Sequence, residues 1–172
     1  MTVGIDIALA SNHWDGVDDL DPLTRRCIAA SVVESGVRLA PGCEISVMFC
    51  ADADIRELNA QWRGKDSATN VLSFPTPGPV EAKPLLGDIV VAYETVAREA
   101  LEQHKTLHAH IAHMIMHGFL HLIGYDHEST AEAEEMESLE RRIASSLGLR
   151  DPYAQAGDDA TDQPNKAHVN TI

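Results

Sequence analysis

The stretch HGFLHLIGYDH, residues 117–127, decides how the chain folds around its most informative side chains. It carries three histidines at H-x3-H-x5-H spacing, His117, His121 and His127. Residues four apart lie one above the other on a helix face, so His117 and His121 can offer two nitrogens to one ion. Gly124 stands where a helix would end in a left-handed residue, a conformation that glycine adopts at little cost. The chain can fold back there and present His127 as a third ligand.

Three neutral imidazoles with a fourth position left to water form the arrangement of a catalytic zinc, not of a closed structural one. The spacing therefore predicts one Zn²⁺ ion and metal-assisted hydrolysis. Two histidines at this spacing could be an accidental core pair, but three around a glycine are much harder to explain in that way. Imidazole also suits nickel, copper and iron, so zinc is predicted because this ligand set is its common hydrolytic site.

Length and composition predict one globular domain. The chain has 172 residues, of which 44% are hydrophobic, enough to bury a core. We expect residues 1–150 to form a single metal-dependent hydrolase domain. Residues 151–172 show no periodicity and mix Gly, Asp, Asn, Pro and Thr, which predicts a disordered tail.

The compartment is predicted to be the cytoplasm. Residues 1–10 lack the basic segment of a secretory signal, and no apolar run is long enough to span a membrane. The three cysteines are odd in number and form no C-x-x-C pair. Both features favour reduced thiols over a disulfide framework.

The charge balance argues against a general affinity for polyanions. The 27 acidic residues outnumber the 13 Lys and Arg, and the formal net charge is −14. Nucleic-acid binding normally rests on basic side chains that neutralise phosphates, so we expect no DNA partner. Residues 56–105 are nearly neutral, and a local basic groove remains compatible with that segment.

Hydrophobic periodicity predicts an α+β fold. The first two strands are separated by a helix, which favours parallel pairing, and the last two are joined directly, which favours antiparallel pairing. The result is a single mixed four-stranded sheet packed against about five helices, with the metal site on a helix and the turn after it. The predicted strands are 2–9, 43–50, 70–74 and 86–92, and the helices are 22–36, a short one that begins near 52–54, 93–104, 106–123 and 129–147.

Local signals place several helix ends and one core position. Asp21 is predicted to cap the first helix, and Thr106 and Ser129 to cap the metal-bearing and last helices. Trp62 is predicted to lie inward on the short helix, although a partly exposed indole could also stack on a base. Leu9 is expected to share one face of the first strand with Val3, Ile5 and Ile7.

Gly118 separates this motif from the protease sites that share its spacing. Metzincin proteases carry a glutamate directly after the first histidine as the general base, and glycine cannot move a proton. Amide hydrolysis depends heavily on that proton, whereas phosphodiester cleavage depends more on charge stabilisation. The glycine therefore favours phosphate chemistry. Asp126 and Glu128 are candidate bases, although we expect Asp126 to orient a ligand histidine instead.

Residues 59–75 are the second candidate region. Arg63 is predicted to face the metal and to stabilise the phosphate, because a guanidinium grips phosphate oxygens with two hydrogen bonds. The alternative is a structural salt bridge at Arg63. Lys65 and Asp66 are predicted to form a surface ion pair. His113, one helical turn before the motif, could form a wall of the site or carry a proton.

Three segments resemble the YbeY family of bacterial endoribonucleases, also called rRNA maturation factors. They are LNAQWRGKDSATNVLSFP at 58–75, GDIVVA at 87–92 and AHMIMHGFLHLIGYDHE at 112–128, within a similarity that covers about residues 5–147. The resemblance implies zinc ligands at His117, His121 and His127 and a functionally important Arg63 that contacts RNA. Asn70 departs from many relatives, which have Asp there.

The resemblance also implies a substrate and a process. It implies an endoribonuclease that prefers single-stranded RNA, acts at the 3′ end of the small-subunit rRNA and takes part in ribosome quality control. Partners would then be rRNA and the ribosome or ribosomal proteins. Two rivals remain open at this point: a metzincin-like zinc protease, and a non-catalytic ribosome-assembly factor whose zinc is structural.

Overall fold

The computed structural model describes residues 3–154, which contain one four-stranded sheet in the order β1-β2-β4-β3. Strand β2 pairs in parallel with β1 on one side and with β4 on the other. Strand β3 pairs antiparallel with β4, to which a short loop joins it. The predicted mixed sheet is confirmed. The strands are Gly4–Leu9 (β1), Glu44–Cys50 (β2), Val71–Pro75 (β3) and Leu85–Ala92 (β4).

Five α-helices accompany the sheet in the described part of the chain, which confirms the α+β prediction. Two short 3-10 turns were not predicted, and the second lies within the proline-rich loop between β3 and β4. None of the helices among residues 3–154 is both long and apolar enough to cross a membrane. The helices are Leu20–Ser35 (α1), Asp52–Arg63 (α2), Tyr93–Glu102 (α3), Leu107–Leu122 (α4) and Thr130–Ser146 (α5).

Helix α4 lies in the middle of the core, and Gly118 lets it approach the sheet closely. A Cβ atom at Gly118 would lie 2.7 Å from Cγ2 of Ile89 and 3.2 Å from Oγ of Ser73. The Ser73 hydroxyl donates a 2.8 Å hydrogen bond to the Gly118 carbonyl. Helix α4 is therefore held against β3 and β4, and its position on the sheet fixes where its histidines lie.

Helix α2 packs on the opposite face of the sheet from α4. Ile55 contacts a separate cluster that includes Leu72 and Val90, whereas Ser73, the next residue in β3, faces α4. Successive side chains of a strand point to opposite faces. The sheet therefore separates α2 from the helix that carries the histidines.

Two large apolar side chains near the ends of their elements are exposed. Trp62 is 64% exposed, and only the edge of its ring meets Phe74, with the centroids 6.3 Å apart. Ile55 forms the buried face of α2 instead, and the indole of Trp62 lies at the edge of the apolar cluster. Leu9 is 53% exposed because it ends β1, which is an edge strand. The inward prediction for Trp62 was wrong.

The predicted helix caps are mostly confirmed. The hydroxyls of Thr106 and Ser129 accept 3.1 Å hydrogen bonds from the backbone of their helices. The cap predicted at Asp21 is wrong: α1 begins earlier, with Asp19 in a left-handed conformation at its start. Asp21 is instead in the first turn, where a carboxylate is favoured, and it pairs with Arg25 at 2.6 Å.

The folded part extends slightly beyond residue 150, the boundary predicted from composition. Asp151–Ala154 form a turn in which Tyr153 is buried, with 4% of its surface exposed. The rest of the predicted tail, residues 155–172, lies outside the described residues.

Candidate metal centre

His117 and His121 stand one turn apart near the end of α4, with their rings at 80° to each other. Their Nε2 atoms are 3.2 Å apart. Two imidazole nitrogens bound to one tetrahedral Zn²⁺ at 2.0–2.1 Å would lie about 3.3 Å apart. The spacing of this pair therefore fits a shared ion.

His127 reaches the same point because the chain turns back after α4. Gly124 has a φ of 104°, and the amide of Tyr125 returns to the carbonyl of Leu120 at 3.0 Å. One ligand nitrogen from each of the three histidines then lies within 4.8 Å of the other two. His127 is exposed while its two partners are half-buried. The three rings thus form a cluster that could hold a metal ion and is open to solvent on one side.

His121 is suited to bind a cation as a neutral ring. Burial, followed by the charges of His117 and His127, lowers the pKa of His121 to about 4. At neutral pH the ring therefore has a free lone pair, and it can bind a metal without first releasing a proton.

Glu140 on α5 contacts the buried side of the histidine cluster. Its side chain has no exposed surface, and one of its oxygens accepts hydrogen bonds from Nε2 of His113 at 2.9 Å and Nδ1 of His117 at 3.0 Å. The bond to Nδ1 leaves Nε2 of His117 as the nitrogen that faces the other two ligands. A carboxylate in this relation to a ligand histidine fixes its tautomer and its orientation.

Glu140 is ionised despite its burial. Burial by itself would raise its pKa, but the hydrogen bonds that His113 and His117 donate to the carboxylate outweigh that effect and hold the pKa well below its ordinary value. Burial lowers the pKa of His113, so this ring has little tendency to carry a charge of its own. The site therefore contains a buried negative charge immediately behind the metal-facing rings.

His113, His117 and Glu140 form a second group whose atoms could hold an ion. Two of the three are fully buried, and the hydrogen bonds just described already join all of them. His113 and Glu140 have almost no exposed surface, although all three side chains lie along the wall of the cavity described below. We interpret it as the support of the exposed trio, which agrees with the expectation that His113 lies against the site without being a ligand.

Sequence reasoning missed Glu140 because it lies within an acidic run that resembled a solvated helix face. The signal was present in the spacing. Glu140 follows Met136 by four residues and precedes Ile143 by three, so it shares the buried face of α5 with them. Asp126, the acid singled out from the sequence, accepts a 2.8 Å hydrogen bond from the backbone N–H of His127. It holds the backbone of that ligand, not its ring.

A cavity of about 340 Å³ adjoins the trio and shares His117 and His127 with it. Asn70, at the start of β3, lies on its wall and donates to Glu99 at 3.1 Å. Glu99 also accepts a 2.8 Å hydrogen bond from His110. An aspartate at position 70 would set two carboxylates side by side, whereas the amide of Asn70 supplies a donor. The departure from Asp therefore fits its surroundings in this chain.

Known proteins match most of this chain. The model of the family described as Endoribonuclease YbeY matches residues 11–148. A protein of Methylocella silvestris named Endoribonuclease YbeY is 52% identical over 88% of this chain and 86% of its own length. Its namesake in Rhizobium meliloti is 48% identical over 87% of this chain and 94% of its own. The chain belongs to the YbeY family. Membership assigns it to the nuclease hydrolases.

The fold is shared with a solved structure. A Thermotoga maritima protein determined in solution aligns with 94% of this chain and 99% of its own, with a TM-score of 0.53 and 26% identity. The four-stranded sheet and its helices therefore form a fold that this chain shares with the Thermotoga maritima protein.

Arg63, the residue that the YbeY resemblance marks for RNA contact, ends α2 on the opposite face of the sheet from α4. Its side chain is exposed, and among residues 3–154 no hydrogen bond or ion pair holds it. The alternative of a structural salt bridge is therefore not realised there. The role of Arg63 at the metal stays a prediction. Asp66 pairs with Arg56 at 2.8 Å, so the ion pair predicted between Lys65 and Asp66 is wrong.

Proposed function

We propose that this chain is a zinc-dependent endoribonuclease that cleaves single-stranded RNA. The observation that carries the proposal is the convergence of His117, His121 and His127 on one point that is open to solvent on the side of His127. Three imidazoles and an open side form the ligand set of a hydrolytic zinc. The names of the curated relatives supply RNA as the substrate class.

Each residue of the site has a separate task in this proposal. When bound, the metal supplies a Lewis acid that stabilises charge on phosphoryl oxygens. The three histidines would hold it, and Glu140 keeps His117 turned so that Nε2 faces the other two rings. Since the attacking group is either water or a neighbouring ribose 2′-hydroxyl, product-end analysis is needed to distinguish the two routes.

Arg63 is proposed to bind the scissile phosphate. Its guanidinium can form two parallel hydrogen bonds to phosphate oxygens and so stabilise the charge that develops there. Two observations support this assignment: the side chain has no partner in the described part of the chain, and residues 64–69 lead directly from it to Asn70 beside the trio. The loop thus connects Arg63 to the wall of the candidate site.

The protease alternative is disfavoured by the surroundings of Gly118. A side chain at this position would point into the sheet, where Ile89 and Ser73 already lie within 2.7 and 3.2 Å of the added carbon. The glutamate base of a metzincin has no room there. The assembly-factor alternative is disfavoured because the trio is exposed to solvent at His127, whereas a structural zinc site is closed by a fourth protein ligand.

We further propose a setting in ribosomal RNA processing in the cytoplasm, at the 3′ end of the small-subunit rRNA, and in ribosome quality control. The support is family membership together with the net charge of −14. A protein this acidic gains little from general attraction to RNA. Delivery of the substrate by the ribosome or a ribosomal protein would compensate for this weak electrostatic attraction.

The test is a cleavage assay with both candidate substrates. Highly purified, zinc-loaded protein is incubated with an unstructured RNA and with a mixture of unstructured peptides, alongside Arg63→Ala and the control Arg98→Ala. Arg98 is an exposed arginine paired with Glu102 on α3. We expect RNA cleavage only, a loss on the order of 100-fold for Arg63→Ala and no loss for the control. Peptide cleavage with intact RNA would overturn the proposal.

A further inference from the structure

Tyr153 lies just beyond the segment that the family model matches, which ends at residue 148. Its side chain is buried, and its hydroxyl donates a hydrogen bond to Oε1 of Glu140. Oε2 of the same carboxylate accepts from His113 and His117. The two oxygens of Glu140 are therefore divided between the C-terminal turn and the rings of the metal centre.

We propose that Tyr153 is a positioning residue for the metal centre. Without its hydroxyl, Oε1 would remain buried without a strong donor, a state that costs free energy or draws water into the site. The carboxylate could then rotate and share its hydrogen bonds differently among the rings. The hydroxyl removes that freedom and leaves Oε2 directed at Nδ1 of His117.

The ring of Tyr153 is itself held from two sides. The edge of the ring meets His113, with centroids 5.3 Å apart and an interplanar angle of 81°. The guanidinium of Arg141 lies over the ring at 5.3 Å from its centroid, a favourable cation–π position. These two contacts hold the ring in place, and so they keep its hydroxyl within hydrogen-bonding distance of Glu140.

Asp151 fastens the turn that carries Tyr153. Its Oδ1 accepts a 2.8 Å hydrogen bond from the backbone N–H of Tyr153, and its Oδ2 lies 3.4 Å from Nε of Arg141. Asp151 and Arg141 therefore tie the C-terminal turn to α5, the helix that also carries Glu140. The C-terminal turn, the ring of Tyr153 and the carboxylate of Glu140 are therefore connected to one another on the buried side of His117.

The proposal rests on metal binding by the trio, so the experiment tests both separately. Zinc affinity is measured by chelator competition, and the visible spectrum of the Co²⁺-substituted protein reports the ligand geometry. The variants are Tyr153→Phe, which removes only the hydroxyl, and His121→Ala, which removes a ligand. Tyr93→Phe is the matched control, since Tyr93 packs against Trp14 and His13, outside the cavity beside the trio.

We expect Tyr153→Phe to bind zinc about 10-fold more weakly and to shift the Co²⁺ spectrum, while Tyr93→Phe matches the wild type. His121→Ala should lose tight binding. Wild-type affinity and spectrum for Tyr153→Phe, with binding lost in His121→Ala, would overturn the role of Tyr153 alone. Equal binding by the wild type and His121→Ala would overturn the trio as the site, and the inference with it.

A second variant keeps the test valid if Tyr153→Phe folds poorly, which circular dichroism would reveal. Arg141→Met keeps the bulk of the side chain but removes the guanidinium above the ring. We expect it to weaken zinc binding in the same direction, by less than Tyr153→Phe. An unchanged affinity and an unchanged Co²⁺ spectrum in Arg141→Met would then contradict the proposal.

Discussion

The Nδ1 atom of His117 lies 3.0 Å from a carboxylate oxygen of Glu140, which is fully buried. This pair joins α4 to α5 and decides which nitrogen of His117 faces the other two histidines. The candidate metal centre is therefore more than three histidines on a helix and a turn. It depends on a charged residue from an element that follows the motif in the chain.

Replacement of Glu140 by Gln should weaken metal binding. The amide has nearly the same size, but it removes the negative charge that faces His117 and can accept through only one of its two polar atoms. We expect zinc affinity to fall 10–100-fold, measured by chelator competition. Glu135→Gln, an exposed site on the same helix, is the control. Equal affinity in the two variants would show that Glu140 does not orient the ligand.

Gly118→Ala should destabilise the protein although alanine favours helices. The better helix propensity is worth about 1 kcal/mol, but the added carbon would lie 2.7 Å from Ile89 on the sheet, and overpacking costs about 1–3 kcal/mol. We expect a net decrease in the free energy of unfolding, measured in urea. Gly16→Ala meets no neighbouring atom and should be nearly neutral. A gain in stability for Gly118→Ala would contradict the close approach of α4 to the sheet.

Removal of the metal should leave the fold intact. The trio lies at the surface, while Ile111, Ile115 and Phe119 close the core of α4 beneath it. We expect an unchanged far-UV circular dichroism spectrum after chelation and a Tm that falls by about 5–15 °C, the size expected when a ligand at 100–1,000 times its Kd is lost. Unfolding on chelation would instead indicate a structural ion.

The cysteines should be unreactive in the native protein. Cys27, Cys43 and Cys50 are free and buried, and burial raises the pKa of Cys27 and of Cys50 to about 12. Unfolded thiols ionise near pH 8.5, so stability should decline as the pH rises above that value. At pH 8 a thiol reagent should modify native protein slowly and all three thiols after denaturation. Rapid native modification would contradict their burial.

The fold was predictable because its signals are local. The parallel and antiparallel pairings followed from whether a helix or a short loop joins two strands, and the caps at Thr106 and Ser129 followed from their side chains. Trp62 was placed wrongly because periodicity gives the direction of a side chain but not where the opposing surface ends. Only the packed structure shows that the cluster around Ile55 ends before the indole.

The ligand trio was predictable because all three histidines fall within eleven residues. Glu140 and Tyr153 come from elsewhere in the chain, and their contacts with the site arise only when α5 and the turn at 151–154 pack against α4. Arg63 shows the opposite case. The family motif marks it strongly, yet its helix lies across the sheet from the histidines, and no distance within the described residues yet ties it to the metal centre.

The most direct test of the central claim is a zinc titration of RNA cleavage. Metal-free protein receives increasing zinc, and cleavage of a single-stranded RNA is measured at each step beside His121→Ala. We expect activity to rise in proportion to zinc, to stop rising at one ion per chain and to stay absent in the variant. Cleavage by the metal-free protein, or equal cleavage by His121→Ala, would contradict it.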